Sequence, residues 1–171
     1  MNTIGIVEFK DIPTGIWTLD KVIKNSEVGV YKAGTTCPGK YFFIIYGDNE
    51  SVKIALNEVE VSLKIKLISG VSKKILEILK GKNNVEIEKS IAIVEYTTIS
   101  ESISSLDHVL KNTDAKVLKL VLGYGIAGKS YYVITGDVSS IEEAVVLITG
   151  LSEYKDLKVV NNPSFEMKKY I

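Results

Sequence analysis

The residue in this chain best suited to soft-metal chemistry is its only cysteine, Cys37, set in the stretch TTCPGK formed by Thr35, Thr36, Cys37, Pro38, Gly39 and Lys40. Thiolate is the usual protein ligand of an iron–sulfur cluster, and four cysteines are the ordinary complement. One thiol per chain falls short of the three or four that a cluster or multidentate metal site ordinarily asks for. The competing reading is a lone cysteine filling core space as a small apolar side chain. Proline fixes φ at about −65° and glycine permits close backbone approach, so Pro38 and Gly39 suit a stiff, crowded loop. Lys40 adds a positive charge and, with Gly39, a backbone N–H that can donate to sulfur.

A second stretch, GYGIAGK, carries Gly123, Tyr124, Gly125, Ile126, Ala127 and Gly128 ahead of Lys129, without sulfur. Glycine-rich loops cradle phosphate when they open a helix, whereas this one precedes a strand-like run and so reads as a loop built to bend. His108 is the sole histidine and has no Ser/Asp partner pattern, and it reads as a surface residue. Glu8 and Glu95 occupy repeated positions and read as structural. No residue is assigned a catalytic role, and the chain is not expected to be an enzyme.

The elements that must position these loops are constrained by composition. Of 171 residues 46% are apolar, ample for a packed core, and Lys plus Arg equals Asp plus Glu at 21 each. That balance supplies no field for nucleic acid or an anionic membrane, and neither is expected as a partner. The start, MNTIGIVEFK, runs into a strand-like segment without a basic n-region or a long apolar h-region, and reads as cytosolic. Apolar runs such as 41–46 are far shorter than the roughly 20 residues needed to cross a bilayer. A single cysteine excludes an intrachain disulfide.

Self-similarity decides the organisation. IGIVEFKDIPTGIWTLDKVIKNSEVGVYK, from Ile4, reappears without a gap from Ile91 as IAIVEYTTISESISSLDHVLKNTDAKVLK. Ile4/Ile91, Glu8/Glu95, Ile16/Ile103, Asp20/Asp107, Lys24/Lys111 and Asn25/Asn112 are among the retained pairs. Further on, GKYFFIIYGDNESVKIA meets GKSYYVITGDVSSIEEA, sharing Gly39/Gly128, Lys40/Lys129 and Asp48/Asp137. Two tandem domains are expected, over 1–82 and 88–171, with GKNNVEIEK as linker.

Within the first copy, a strand over 4–9 precedes a helix over 12–24 with an apolar stripe of Ile12, Ile16, Leu19, Val22 and Ile23. Strands over 28–32 and 41–46 flank TTCPGK. Asp48 caps a helix running through Val52, Ala55, Leu56 and Val59, and a strand over 63–67 and a small helix over 73–79 close the copy. The order β-α-β-β-α-β predicts an α+β sandwich: tandem ferredoxin-like domains, each an antiparallel sheet with helices on one face. Trp17 and the nine tyrosines read as core, edge and interface area.

The apolar strand containing a Glu, the D-x-x-x-K helix ending followed by an Asn turn, the glycine-containing loop and the GD helix start all occur twice, and together they resemble the bacterial microcompartment shell domain. With both copies in unpermuted order, the chain is similar to the tandem-domain class, whose members form homotrimers that imitate a six-fold tile. The resemblance implies a non-catalytic structural protein of a microcompartment shell, inside the cytoplasm, partnered by other shell proteins.

In such tiles the loop between the second and third strands lines the central pore. The resemblance therefore makes Thr35 to Lys40 and Gly123 to Gly128 pore-loop residues and gathers three copies of Cys37 at one axis. TTCPGK is very similar to the matching loop of propanediol-utilisation members in which three such cysteines bind one [4Fe-4S] cluster. It implies Cys37 as the metal ligand, one cluster per trimer, and electron transfer across the shell or cluster delivery, with a redox enzyme inside or outside the shell as partner. The resemblance also places Lys24, Asn25, Lys111 and Asn112 along the tile edge. The family's PRPH-like edge segment is replaced by ISGVS at 68–72 and NNPSF at 161–165. Two other readings stand beside this one: a cofactor-free tile whose pore passes metabolites, and a ferredoxin-like regulatory module.

Overall fold

The computed structural model describes residues 3–123, 125–151 and 153–171. Its contacts divide them into two compact units. The first holds everything described up to Val71 together with Thr98–Ser100 and the described part of Gly123–Gly128, and the second holds Ser72–Thr97, Glu101–Leu122 and Lys129 onward.

In the first unit, β1 (Thr3–Phe9) is followed by α1 (Ile12–Asn25), β2 (Gly29–Thr36), β3 (Lys40–Gly47), α2 (Asn49–Asn57) and β4 (Lys64–Ile68). The sheet order is β2-β3-β1-β4 with every neighbour antiparallel, the ferredoxin-like arrangement expected from the order of elements. Alternation along the strands turns Val7, Phe9, Tyr41, Phe43 and Ile45 toward the helices, where they pack with Val22, Val52 and Ala55. The opposite face of β1, with Ile4, Ile6 and Glu8, is buried as well.

Each helix start has a local cause. The Asp11 side chain accepts from Thr14 N–H at 3.0 Å at the head of α1, and Asp48 accepts from Glu50 and Ser51 N–H at 3.0 and 2.9 Å at the head of α2. Asp48 is thus the cap its sequence position suggests, although α2 ends at Asn57 and leaves Val59 beyond it.

Gly15 sits where α1 crosses β3, and a methyl group there would fall 2.5 Å from Tyr41 Cδ1. Gly15→Ala gains about 1 kcal/mol of helix propensity. Overpacking costs about 1–3 kcal/mol. A net loss of about 1 kcal/mol is expected, read as a lower urea midpoint at unchanged slope.

The second unit repeats the pattern: β5 (Ser90–Tyr96), α4 (Ile99–Asn112), β6 (Lys116–Leu122), β7 (Ser130–Gly136), α5 (Val138–Gly150) and β8 (Tyr154–Asn161), in sheet order β6-β7-β5-β8. A short 3-10 turn (Phe165–Lys169) follows. Only the first turn of α4 belongs to the first unit.

Three details depart from the sequence reading. β2 runs on to Thr36 and β3 starts at Lys40, because the pairs Thr35↔Tyr41 and Thr36↔Lys40 extend the ladder to the tip. The loop is therefore Cys37–Gly39, and Thr35, Thr36 and Lys40 are strand residues. The helix α3 (Lys73–Leu79), expected to close the first copy, belongs to the second unit, where Ser72 N–H donates to Asp107 Oδ1 at 2.7 Å. The linker is tied into that unit too: Asn83 Nδ2 donates to the carbonyls of Val117 and Leu118 at 2.9 and 2.8 Å, and Glu88 N–H donates to Thr135 Oγ1 at 2.8 Å.

The apolar stripe of α1 also differs from expectation. Val22 is buried and Ile12 and Leu19 partly so, but Ile16, Trp17 and Ile23 are 52%, 58% and 47% exposed. Their counterparts on α4 behave otherwise: Ile103 is fully buried and Leu110 is 7% exposed. Among the described residues no helix is long and apolar enough to cross a membrane.

Candidate functional site

Cys37 stands at the tip of the β2–β3 hairpin as a free, exposed thiol, which removes the reading of a core-filling cysteine. The Cys37–Pro38 peptide is cis, and Gly39 takes φ of 69°, the left-handed region in which glycine carries no side-chain clash. Thr36, the last residue of β2, is buried, Thr35, Pro38 and Gly39 are exposed, and Lys40 is half-buried.

The second glycine loop comes to this hairpin. A methyl group added at Gly128 would fall 2.5 Å from the Cys37 carbonyl oxygen, and one added at Gly123 would fall 2.6 Å from Thr36 Cγ2. Both glycines are buried, whereas Gly125 and Ala127 are exposed and Ile126 is half-buried. Tyr124 lies outside the described residues. The sequence reading treated the three glycines alike, but the structure separates them: 123 and 128 are packing positions and 125 has open space around it.

The repeated glutamates also diverge. Glu8 is 6% exposed and accepts from Ile99 N–H at 3.1 Å, Ser100 N–H at 2.9 Å and Ser100 Oγ–H at 2.7 Å, capping the first turn of α4. A carboxylate there meets both the orphan N–H groups and the positive end of the helix dipole. Glu95 instead pairs with Lys155 at 2.8 Å and Lys129 at 3.2 Å. Lys155 holds the Glu95 carboxyl below its ordinary value, with Lys129 adding to the pull. Sequence gave no sign of this split, since the signal for Glu8 is its partner Ser100, 92 positions away.

The edge candidates are all exposed and do not join the loop site. Lys24 pairs with Asp20 at 2.6 Å, and Lys111 with Asp107. Asn25 donates to Glu58 Oε2 at 3.3 Å, and Asn112 to the His108 carbonyl at 2.7 Å. His108 is exposed, as expected.

Comparison with known proteins fits this fold. The BMC domain family matches residues 3–76 and again 90–162, most of the chain. The chain belongs to the BMC domain family. This tandem BMC chain is 27% identical over 163 residues to the bacterial microcompartment shell protein PduT of Citrobacter freundii, covering 92% of this chain and 89% of PduT. Among solved structures, a microcompartment protein from Desulfitobacterium hafniense DCB matches with 28% identity, a TM-score of 0.87 and 99% of each chain covered. A fused permuted hexameric shell protein, MSM0275 of the RMM microcompartment, matches in fold alone, with 18% identity, a TM-score of 0.60, and 86% of this chain and 79% of that one covered. The tandem BMC protein is thus a bacterial microcompartment shell protein, of a structural and not an enzyme family.

The residues present fit a cluster in one respect and limit it in another. The donor is of the right kind, a thiol exposed at a hairpin tip whose backbone oxygen has Gly128 against it. Among the described residues no group of three or more Cys, His, Asp or Glu is placed to hold a metal. A thiolate-held cluster at Cys37 would therefore need further thiolates from outside this chain, which has one cysteine.

Proposed function

We propose that three copies of this shell protein close into a ring around a central pore, and that the three Cys37 thiolates there hold one [4Fe-4S] cluster. The observation that carries the reading is Cys37 itself: the only thiol of the chain, exposed at the tip of a three-residue hairpin loop. Ring closure draws support from the unequal helices. Apolar positions 103 and 110 are covered within the chain, and their equivalents 16 and 23, with Trp17, are not. An exposed apolar surface of this kind marks a site of association, and a heterologous contact closes into a ring when its rotation does.

The Cys37 thiolate of each of the three chains would ligate one iron, leaving the fourth iron for water, a small molecule or a partner's side chain. When bound, the cluster supplies one-electron storage, used to pass electrons between a reduced partner on one face of the shell and an oxidised partner on the other, or is itself delivered to an enclosed enzyme. Lys40 places a cation near the hairpin, whereas its twin Lys129 is engaged with Glu95. The exposed Lys24, Asn25, Lys111 and Asn112 remain available for contacts with other shell proteins at the tile edge.

The test is the mass and iron content of the full chain after anaerobic reconstitution. A trimer with one cluster per three chains is expected. A colourless, iron-free trimer assigns the protein as a cofactor-free tile with a metabolite-conducting pore, and a monomer overturns the ring.

A further inference from the structure

We propose that the sulfur-free loop of the second repeat sets the position of the thiol carried by the first, with Gly123 and Gly128 as positioning residues for Cys37. The inference rests on the cluster reading above and concerns how the thiol is held.

Absence of a side chain is required at both positions, for reasons of space. A Cβ at Gly128 would meet a backbone oxygen, that of Cys37, at 2.5 Å, where ordinary contact begins at 3.4 Å. No rotamer change relieves a clash with backbone, so the two loops must part by roughly 0.5–1 Å, and whatever share falls on the hairpin tip comes out of the 0.5 Å or so within which a ligand site works. At Gly123 the nearest obstacle is a methyl, Thr36 Cγ2 at 2.6 Å, with Ile99 Cδ1 and Thr36 Cβ both at 3.1 Å. The Ile99 backbone is fixed, because its N–H and that of Ser100 are held by the buried Glu8 carboxylate. A side chain at 123 would thus be caught between Ile99, whose backbone Glu8 holds, and Thr36 at the base of the hairpin.

Left-handed backbone alone does not explain the glycines. Gly123, Gly125 and Gly128 have φ of 72°, 72° and 74°, but Ala127 between them takes φ of 55° with a side chain. Gly125 has nothing within 4 Å of a would-be Cβ. It shares the conformation of Gly128 without the contact, and so separates local strain from pressure on Cys37.

Full-length wild type, Gly128→Ala, Gly125→Ala, and Gly123→Ala with and without Thr36→Ser are compared by two readouts at equal mass and circular dichroism. One is iron bound after anaerobic reconstitution. The other is Cd2+ affinity of the metal-free protein, read from thiolate–metal charge-transfer absorbance, since soft Cd2+ reports converging thiolates without a cluster. Gly125→Ala should match wild type. Gly128→Ala should bind Cd2+ at least tenfold more weakly and retain less than a tenth of the iron. Gly123→Ala should weaken both, and Thr36→Ser, which removes the obstructing methyl, should restore them even if Gly128→Ala does not fold. A wild type that takes Cd2+ but no iron removes the cluster reading, and the same order of variants in Cd2+ affinity then still supports the positioning role. Equal Cd2+ affinity in wild type and Gly128→Ala, equal damage from Gly125→Ala, or no thiolate site in wild type overturns the proposal.

Discussion

Cys37→Ser is expected to keep the mass and folding of the assembly and to lose all of its iron and visible colour. The two halves of this result have separate causes. Cys37 is exposed, and exchanging one exposed small polar atom for another changes stability by no more than about 0.5 kcal/mol. A serine hydroxyl, in contrast, is not ionised near neutral pH and is a hard oxygen donor, unsuited to iron–sulfide chemistry. Because Cys37 is the only cysteine of the chain, every copy in the proposed ring loses its thiolate and partial occupancy is not expected. The measurement is iron per chain with visible absorbance under anaerobic conditions, alongside solution mass. Iron retained by the serine variant would mean that other residues bind it, and the pore assignment of Cys37 would fall.

The second large effect is expected at Glu8. Glu8→Ala leaves the N–H groups of Ile99 and Ser100 and the Ser100 hydroxyl without their acceptor in a buried setting. An orphaned buried donor costs about 1–3 kcal/mol, so a total loss of about 3 kcal/mol is expected. For a chain of this size that lowers the melting temperature by roughly 6–12 °C, compared at equal protein concentration because assembly shifts the midpoint. Glu95→Ala is the matched control. The same repeat position there carries ion pairs to Lys129 and Lys155 whose side chains are about one-third exposed or more, and such pairs contribute about 0–1 kcal/mol. Equal losses from the two substitutions would show that Glu8 is no more than an ordinary sheet residue.

The contrast between the two glutamates marks where sequence becomes a poor guide. Repeat matching made the doubled domain legible because apolar positions of strands and helices recur in both copies, and burial of the pairs Ile4/Ile91 and Val7/Val94 follows that pattern. The cap at Asp48 was legible because its cause is local, three residues from donor to acceptor. Features made by distant partners were not. Identical residues at 8 and 95 acquire different neighbours, and Gly123 and Gly128 gain their role from Thr36 and Cys37, far away in the chain. The stripe on α1 misled for a related reason: periodicity says which residues are apolar, not whether the surface over Ile16 and Ile23 is supplied by the same chain. The extra length of β2 and β3 escaped because Thr35, Thr36 and Lys40 are polar and read as loop, while the ladder continues through backbone pairing indifferent to side-chain type.

The close fit of Gly128 to the Cys37 carbonyl has a bearing on descent. Duplication ordinarily frees one copy to drift while the other keeps the original task. Here the copy that carries no sulfur cannot vary freely at 128, since any side chain presses on its sibling's hairpin. At this position the second half of the gene is constrained by the first.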